Sequence, residues 1–151
     1  RSPADAAADD GRPPSDGRVG GEKHPMSKLA ILLWSTDLDR PDLAAAPFVY
    51  AAAAAALDAE VEIHFAGRSV RLLVDGEAAR RSSSPRGDGG RSLYAFMQDA
   101  AHGGARFLAC SMAWREYVAD GEATIAEFAG QAGATAFVAR TLDPAWRTLV
   151  F

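Results

Sequence analysis

Cys110 is the only cysteine of this chain and the residue best suited to carry out chemistry. It ends the apolar run RFLAC, residues 106–110, whose length and composition predict a buried strand of a parallel sheet. Sites in open parallel α/β sheets gather outside the carboxyl ends of the strands, and a helix beginning just after Cys110 would direct backbone N–H groups at its sulfur. This environment favours the thiolate and predicts a nucleophilic or sulfur-accepting cysteine. A cysteine that simply packs in the core is the alternative, and its position alone leaves both open.

The histidines and the single cysteine do not have the spacing of a metal site. His24, His64 and His102 belong to no HxxxH or CxxC pair. One cysteine can form neither an internal disulfide nor a thiolate cluster. His64 lies near the end of the segment VEIHF and would assist a thiol only if the fold brought it to Cys110. We therefore expect no metal. Because the chain also has no glycine-rich phosphate-binding motif, we expect no organic cofactor.

The polar segment after the first predicted strand, residues 35–42, would reach the same edge of the sheet as Cys110. It contains three aspartates and no glycine, which disfavours a loop that cradles the phosphate of a flavin or nucleotide. Arg115 would add positive charge if its loop folds back, and tryptophans near the strand ends would wall the pocket or pack in the core or a subunit interface. The residues predicted to surround Cys110 are Ser35, Thr36, His64, Trp114 and Arg115.

Size and composition limit the classes of protein that this chain fits. Its 151 residues, 48% hydrophobic and 24% charged, are enough for one domain with a single core. A net charge of -4 and a pI near 5.3 argue against general binding of nucleic acid or anionic membranes, which needs clustered Lys and Arg. No apolar run approaches the roughly 18 residues of a membrane span, and the amino terminus does not resemble a signal peptide, so we expect a cytoplasmic protein.

Apolar periodicity divides the chain into an arm and one folded domain. Residues 1–25 are rich in Ala, Asp, Gly, Pro and Arg, which predicts a disordered arm or a remnant of cloning, and residues 26–151 are expected to form a single α/β domain. The runs KLAILLW and VEIHF predict two strands, with an Ala-rich helix over residues 47–57 between them. Apolar residues at helical spacing over residues 93–101 predict another helix, capped by Ser92. This alternation predicts a parallel sheet with right-handed crossovers.

The chain beyond Cys110 allows more than one assignment. Residues 111–118 are able to form a helix directly after the strand. Residues 134–140 contain β-formers, and so does the terminal segment TLVF, residues 148–151. We prefer the terminal strand, because a parallel strand there needs a helix before it, and residues 133–142 are the segment that can supply one.

Four segments, in this order, resemble the DsrE/DsrF-like family of small sulfur-relay proteins, which includes the TusD-type subunits. They are the strand KLAILLW with its polar loop, the Ala-rich helix that starts at Pro47, the strand end FLACSM, and the closing AGATAFVARTLDPAWRTLVF. The resemblance covers residues 28–151 and implies a three-layer α/β/α fold with a mainly parallel sheet of four to five strands, assembled as a trimer or hexamer. It also implies that the cysteine matching Cys110 transfers persulfide sulfur between partner proteins. The chain departs from many relatives at residues 114–117, where they have small residues.

Two functions from different classes are the main hypotheses. In the first, the chain is a sulfurtransferase-type carrier whose Cys110 accepts persulfide sulfur from a donor protein and passes it to an acceptor. In the second, it is a non-catalytic interaction subunit of an α/β homo-oligomer, and Cys110 is a packing residue. A third hypothesis, a flavodoxin-like nucleotide-binding protein, is disfavoured by the composition of the first loop.

Overall fold

The described residues, 27–36, 38–84 and 89–151, alternate strands and helices in this computed structural model. The predicted arm over residues 1–25 lies outside them. The strands are β1 (Lys28–Leu33), β2 (Glu60–Phe65), β3 (Arg106–Cys110), β4 (Phe128–Ala132) and β5 (Trp146–Val150). The helices are α1 (Pro41–Ala44), α2 (Ala46–Ala55), α3 (Leu93–His102), α4 (Ser111–Tyr117) and α5 (Ala134–Leu142), with a 3-10 helix at Gly67–Leu73.

The five strands form one parallel sheet in the order β4-β3-β2-β1-β5. Because all strands run in the same direction, their carboxyl ends lie along one edge, and the connecting helices pack on the two faces. The structure confirms the predicted class, a three-layer α/β/α fold with a mainly parallel sheet, and the sheet has five strands. None of the helices in the described ranges combines the length and the apolar composition that a membrane-spanning helix needs.

One face of the sheet contributes to the larger core. Ile31, Ile63 and Phe107 face it from three neighbouring strands and are fully buried. Phe48 of α2 packs against Phe65 and Phe107, with ring centroids 6.0 and 6.2 Å away. This packing explains the long apolar run of β1, since a strand covered by helices needs apolar side chains on its faces.

The opposite face has a smaller apolar core and a polar centre. Ala30 of β1, Phe137 of α5 and Trp146 of β5 form this core. Side chains two residues apart on a strand share a face, so Glu62 and His64 of β2 both lie on this side, where they are 1% and 5% exposed. Helix α5 therefore packs over two buried ionisable groups, which need partners inside the protein.

The structure agrees with most predicted elements and differs at two segments. Ser92 Oγ accepts a hydrogen bond from the Ala95 N–H as the predicted cap of α3, and α5 forms over the segment that we preferred for a helix. The terminal strand is also present, but β5 begins two residues before the predicted segment 148–151 and ends one residue before its end. Strand β4 was not predicted, because its sequence FAGQA has no apolar run, Gly130 has a φ of 133°, and the register with β3 shifts nearby. The loop predicted over residues 35–42 contains the start of the short helix α1.

Ion pairs connect the 3-10 helix to the segments before α3 and after α4. Arg71 lies 2.6 Å from Glu77 and 2.6 Å from Glu122. Arg81 reaches the other carboxylate oxygen of Glu77 at 2.8 Å. Burial alone would raise the pKa of Glu77, but hydrogen bonds from Arg81 and Arg71 lower it to about 2. The network joins segments on both sides of α3 and so supports the loop that follows α4.

Replacing Glu77 with glutamine is expected to lower the free energy of unfolding at neutral pH by about 2 kcal/mol, because the arginines lose their shared counter-charge. A carboxylate whose folded pKa is lowered stabilises the protein fully above its unfolded pKa, and this stability is lost as the pH falls to about 2. Urea unfolding at neutral pH and at about pH 3 measures the difference in the free energy of unfolding between wild type and Glu77→Gln. This difference should be smaller at about pH 3. Glu116→Gln, at an exposed position of α4, is the matched control. A difference that does not change with pH would contradict this account.

Candidate functional site

A cavity of about 250 Å³ lies at the carboxyl edge of the sheet, on the face that α5 covers. The ends of β1, β2 and β3 and the start of α5 form its walls. Cys110 and His64 are its two ionisable members. Its other members are mostly apolar and are Leu32, Trp34, Phe65, Ala66, Ala132, Gly133, Ala134, Phe137 and Val138.

Cys110 lies at the junction of β3 and α4. It is the last residue of the strand and the N-cap of the helix, and its side chain is half-buried. Strand β3 has neighbours on both sides, and Cys110 pairs with Ala132 of β4. Ala132 and Ala66 both line the cavity, and their short side chains leave room there that larger residues would fill. Small residues at the strand ends therefore give the thiol an open space.

His64 is oriented by a buried carboxylate. Its Nε2 lies 3.1 Å from Oε2 of Glu62. Burial raises the pKa of Glu62, but hydrogen bonds from Arg140 and His64 lower it by more, so the carboxylate is ionised at neutral pH and can only accept. His64 therefore donates its Nε2–H to Glu62 and keeps Nδ1 as an acceptor. The ring also packs edge-on against Phe137, with centroids 5.3 Å apart.

Two arginines neutralise Glu62. Arg140 of α5 donates from Nε to Oε2 at 3.0 Å and from Nη2 to Oε1 at 3.1 Å. Arg106 of β3 places Nη1 3.5 Å from Oε1. The guanidinium of Arg140 also lies over the ring of Trp146, 4.5 Å from its centroid. A charge-assisted bidentate pair of this kind fixes both partners, so α5 is tied to the centre of the sheet.

His64 is neutral at pH 7 in this environment. Burial lowers its pKa, and the charges of Arg140 and Arg106 lower it further. The hydrogen bond and the charge of Glu62 oppose this effect, but the pKa remains below the ordinary value of histidine. The cavity therefore contains one thiol and one neutral imidazole.

Comparisons with known proteins identify the fold. No family model matches the chain, and no curated protein matches it. Among solved structures, the chain is similar to the protein of unknown function MTH1491 from Methanobacterium thermoautotrophicum, with a TM-score of 0.57 and 15% sequence identity. The match covers 83% of this chain and 99% of that one. The two proteins share a fold. At this identity the likeness concerns the α/β architecture alone.

One of the residues predicted to surround Cys110 shares its cavity, and that residue is His64. Ser35 and Thr36 follow β1 but do not line the cavity. Trp34, one residue earlier, does line it, and its side chain is 67% exposed at the rim. The loop after β1 therefore contributes its first residue rather than its hydroxyl groups.

The predicted residues of α4 lie elsewhere. Trp114 stacks on Phe128 of β4, with ring centroids 4.8 Å apart and planes 9° from parallel. Arg115 is exposed on α4 and does not line the cavity. Trp114 packs against the larger core, because α4 lies on the face of the sheet opposite α5. Within the described ranges, no three His, Cys, Asp or Glu side chains gather as the ligands of a metal would.

Sequence reasoning missed the charged half of the site. Glu62 stands between apolar residues of β2 and two positions before His64, so the period-two pattern of a strand places both on one face. That pattern is a usable signal, because a carboxylate in a buried strand needs a partner. Arg140 gives no comparable signal, since it lies 78 positions from Glu62 in the chain.

Proposed function

We propose that this chain is a sulfur carrier whose Cys110 accepts persulfide sulfur from a donor protein and passes it to an acceptor thiol. The observation that carries the proposal is the position of the Cys110 thiol on the wall of a cavity of about 250 Å³. The cavity lies at the strand ends, where parallel α/β sheets place their reaction sites. The half-buried thiol is reachable, and the cavity has room for an additional sulfur atom beside it.

The sequence around the thiol also supports this function. The segments FLACSM and AGATAFVARTLDPAWRTLVF resemble those of DsrE/DsrF-like sulfur-relay proteins, and both contribute residues to the cavity. A free thiol that must stay reduced between turnovers suits a reducing compartment, so we infer a cytoplasmic protein. The proposal requires no metal and no organic cofactor, because thiol and persulfide exchange sulfur directly.

Loading of Cys110 is a displacement at sulfur. The Cys110 thiolate attacks the outer sulfur of a donor persulfide, R–S–SH, and a new S–S bond forms as the donor S–S bond breaks. The donor leaves as R–S⁻ and Cys110 becomes a persulfide, so the reaction needs no external oxidant. Transfer to an acceptor thiol repeats the same exchange in the opposite sense.

The first turn of α5 adds hydrogen-bond donors to the cavity wall. Gly133 is the N-cap and Ala134 the first residue of this nine-residue helix, and both line the cavity. The first N–H groups of a helix have no carbonyl partner within it and carry partial positive charge. They are able to donate a hydrogen bond to the outer sulfur of a Cys110 persulfide that extends into the cavity.

The test of this function is the uptake of sulfur by the single thiol. After incubation with the hydropersulfide of methyl 3-mercaptopropionate, a small uncharged donor, and removal of excess reagent, intact-mass spectrometry should show one added sulfur atom on the wild-type chain. Cys110→Ser should show none, because it lacks the nucleophile. A wild-type chain without added sulfur, or a Cys110→Ser chain that gains as much, would overturn the proposal.

A relocated thiol separates a specialised cysteine from an ordinary one. Leu142 is 78% exposed at the end of α5, so the double variant Cys110→Ser/Leu142→Cys has one surface thiol outside the cavity. We expect the persulfide on Cys110 to survive dilute reduced glutathione about tenfold longer than the persulfide on the surface thiol of this variant, since the cavity limits access of this bulky, charged thiol. Equal lifetimes would show that the cavity does not shelter the sulfur.

A second candidate function, an interaction subunit without sulfur transfer, is favoured by the exposed apolar side of α2. Val49 and Tyr50 are 50% and 56% exposed, and Leu57 just beyond the helix is 80% exposed. Exposed apolar groups close together on one surface are typical of protein interfaces. Helix α2 packs on the face opposite α5, so a homo-oligomer, trimer or hexamer, built on it would leave the cavity accessible. An oligomer in light scattering that takes up no sulfur would favour this candidate alone.

A further inference from the structure

His64 and Cys110 lie near the ends of neighbouring strands. His64 pairs in register with Leu108, and Cys110 lies two residues further along β3. His64 lies under α5, and Cys110, at the strand end where it also packs against the larger core, borders the same cavity. Both line the cavity, so a molecule bound there contacts the thiol and the imidazole together.

The imidazole offers an unoccupied acceptor. His64 is 5% exposed, its Nε2 is bonded to Glu62, and its Nδ1 has no hydrogen-bond partner in the part of the chain that the structure describes. Among those residues, Thr36 Oγ1 is the one fully buried polar side-chain atom without a partner. Nδ1 therefore keeps some accessible surface, and the accessible space beside His64 is the cavity that it lines. A ligand with a hydrogen-bond donor would satisfy this atom.

The walls of the cavity select against charge. No charged side chain of the described residues lines it, and most of its surface comes from alanine, leucine, valine and aromatic residues. The guanidinium groups of Arg140 and Arg106, on the face that α5 covers, are directed to Glu62. Moving an anion from water into such a space is costly, whereas an apolar body gains from it.

We propose that the cavity binds the sulfur acceptor, a small uncharged thiol with an apolar body, and that His64 Nδ1 accepts the proton of its S–H group. This inference rests on the proposed role of Cys110 as a persulfide carrier. It adds the chemical class of the acceptor and the base that activates it.

The transfer balances without a further reagent. His64 Nδ1 takes the proton of the acceptor R–SH, and the resulting thiolate attacks the outer sulfur of the Cys110 persulfide. The S–S bond to Cys110 breaks as the bond to R–S forms, and the product leaves as R–S–SH. The Cys110 thiolate then receives the proton from His64, so the base is regenerated. Glu62 stabilises the transient imidazolium through its bond to Nε2–H.

Two acceptors that differ in charge test the class of ligand. Cys110 is loaded with persulfide, and single-turnover release is measured with methyl 3-mercaptopropionate and with the anionic 3-mercaptopropionate. Loaded Cys110→Ser/Leu142→Cys gives the intrinsic ratio of the two thiols at a surface site. We expect wild type to favour the ester by about tenfold more than this control does. Equal ratios, or an unstructured cysteine peptide that outcompetes the ester, would overturn the proposal.

His64→Gln tests the base. Glutamine keeps an N–H donor toward Glu62 but lacks the ring nitrogen, so release to the ester should slow about a hundredfold. The charged groups that face His64 are Glu62 on its own strand, Arg106 on β3 and Arg140 on α5. In wild type, release should fall as the pH drops through the lowered pKa of His64, and the variant should lack this acid limb. An unchanged acid limb in the variant would exclude His64 as the base.

A variant at the rim keeps the proposal testable if His64→Gln does not fold. Val138 lines the cavity and is 48% exposed, so Val138→Lys adds a cation with little disturbance of the core. It should reduce the preference for the ester about tenfold at low ionic strength, and Val138→Met, of similar length, should not. A lysine variant that behaves like the methionine variant would contradict selection by the cavity.

Labelling separates failure of this inference from failure of the proposed function. Methyl methanethiosulfonate and its anionic sulfonatoethyl analogue react with the Cys110 thiol whether or not it accepts persulfide sulfur. A preference for the neutral reagent, relative to the relocated thiol, with no sulfur uptake would refute the carrier function but retain the selective cavity. Sulfur uptake without any preference would refute the selective cavity alone.

Discussion

Replacing Arg140 with methionine is expected to lower the free energy of unfolding by about 3 kcal/mol. Arg140 gives Glu62 two hydrogen bonds, and the Glu62 side chain is 1% exposed. Methionine retains much of the length of arginine without its charge, so the substitution mainly leaves a buried carboxylate without its principal partner. Arg106, at 3.5 Å, is too far from Glu62 to replace both bonds.

Urea unfolding followed by circular dichroism measures this loss, with Arg147→Met as the matched control. Arg147 is exposed on β5, and its guanidinium donates to the backbone carbonyls of Pro144 and Trp146. Its replacement should change the free energy of unfolding by less than about 0.5 kcal/mol. Equal losses in the two variants would show that the pair with Glu62 contributes no more than a surface contact.

The same substitution changes how stability depends on pH. Burial raises the pKa of Glu62, and Arg140 and His64 lower it by more. With a lowered folded pKa, Glu62 stabilises the protein fully above its unfolded pKa, and this contribution disappears as the pH falls through the folded value. Without Arg140, Glu62 takes up its proton at a higher pH. The stability difference between wild type and Arg140→Met should therefore narrow on acidification.

The sequence predicts the fold through its continuous apolar runs and one amphipathic helix. The strand KLAILL is apolar after its first residue because helices cover both of its faces, and α3 shows helical spacing because one of its sides faces solvent. Strand β4 gives neither signal. It lies at the edge of the sheet, contains Gly130, and has exposed residues at alternate positions, so its pairing is set by β3 rather than by its own sequence.

The candidate site is predictable only in part, because long-range packing assembles the rest. Cys110 follows from its place at the end of a strand, and His64 from the end of the neighbouring strand. Helix α5 lines one side of the cavity, and its residues are far from His64 in the sequence. A single sequence gives no indication that Phe137 packs on His64 or that Arg140 pairs with Glu62.

Replacing Phe137 with alanine should also destabilise the protein, by about 3 kcal/mol. Phe137 is 9% exposed, and it is the buried residue through which α5 packs on Ala30 and Trp146. This small core has few other side chains that could fill the space left by the ring, so most of the lost contact remains unreplaced. Urea unfolding measures the loss, and Val138→Ala, at a 48% exposed neighbouring position, is the control with a small expected effect.

The loss of the Phe137 ring should also open the site. The Phe137 ring lines the cavity and packs against His64. Its removal should therefore speed alkylation of Cys110 by a bulky maleimide more than alkylation by iodoacetamide. A general loosening of the fold would accelerate alkylation by both reagents alike. A change in the ratio of the two rates therefore reports the effect of the Phe137 ring on access to Cys110. If stability falls while this ratio stays that of wild type, Phe137 supports α5 but does not control access to Cys110, and the selectivity of the cavity must come from Trp34 and Val138 at its rim.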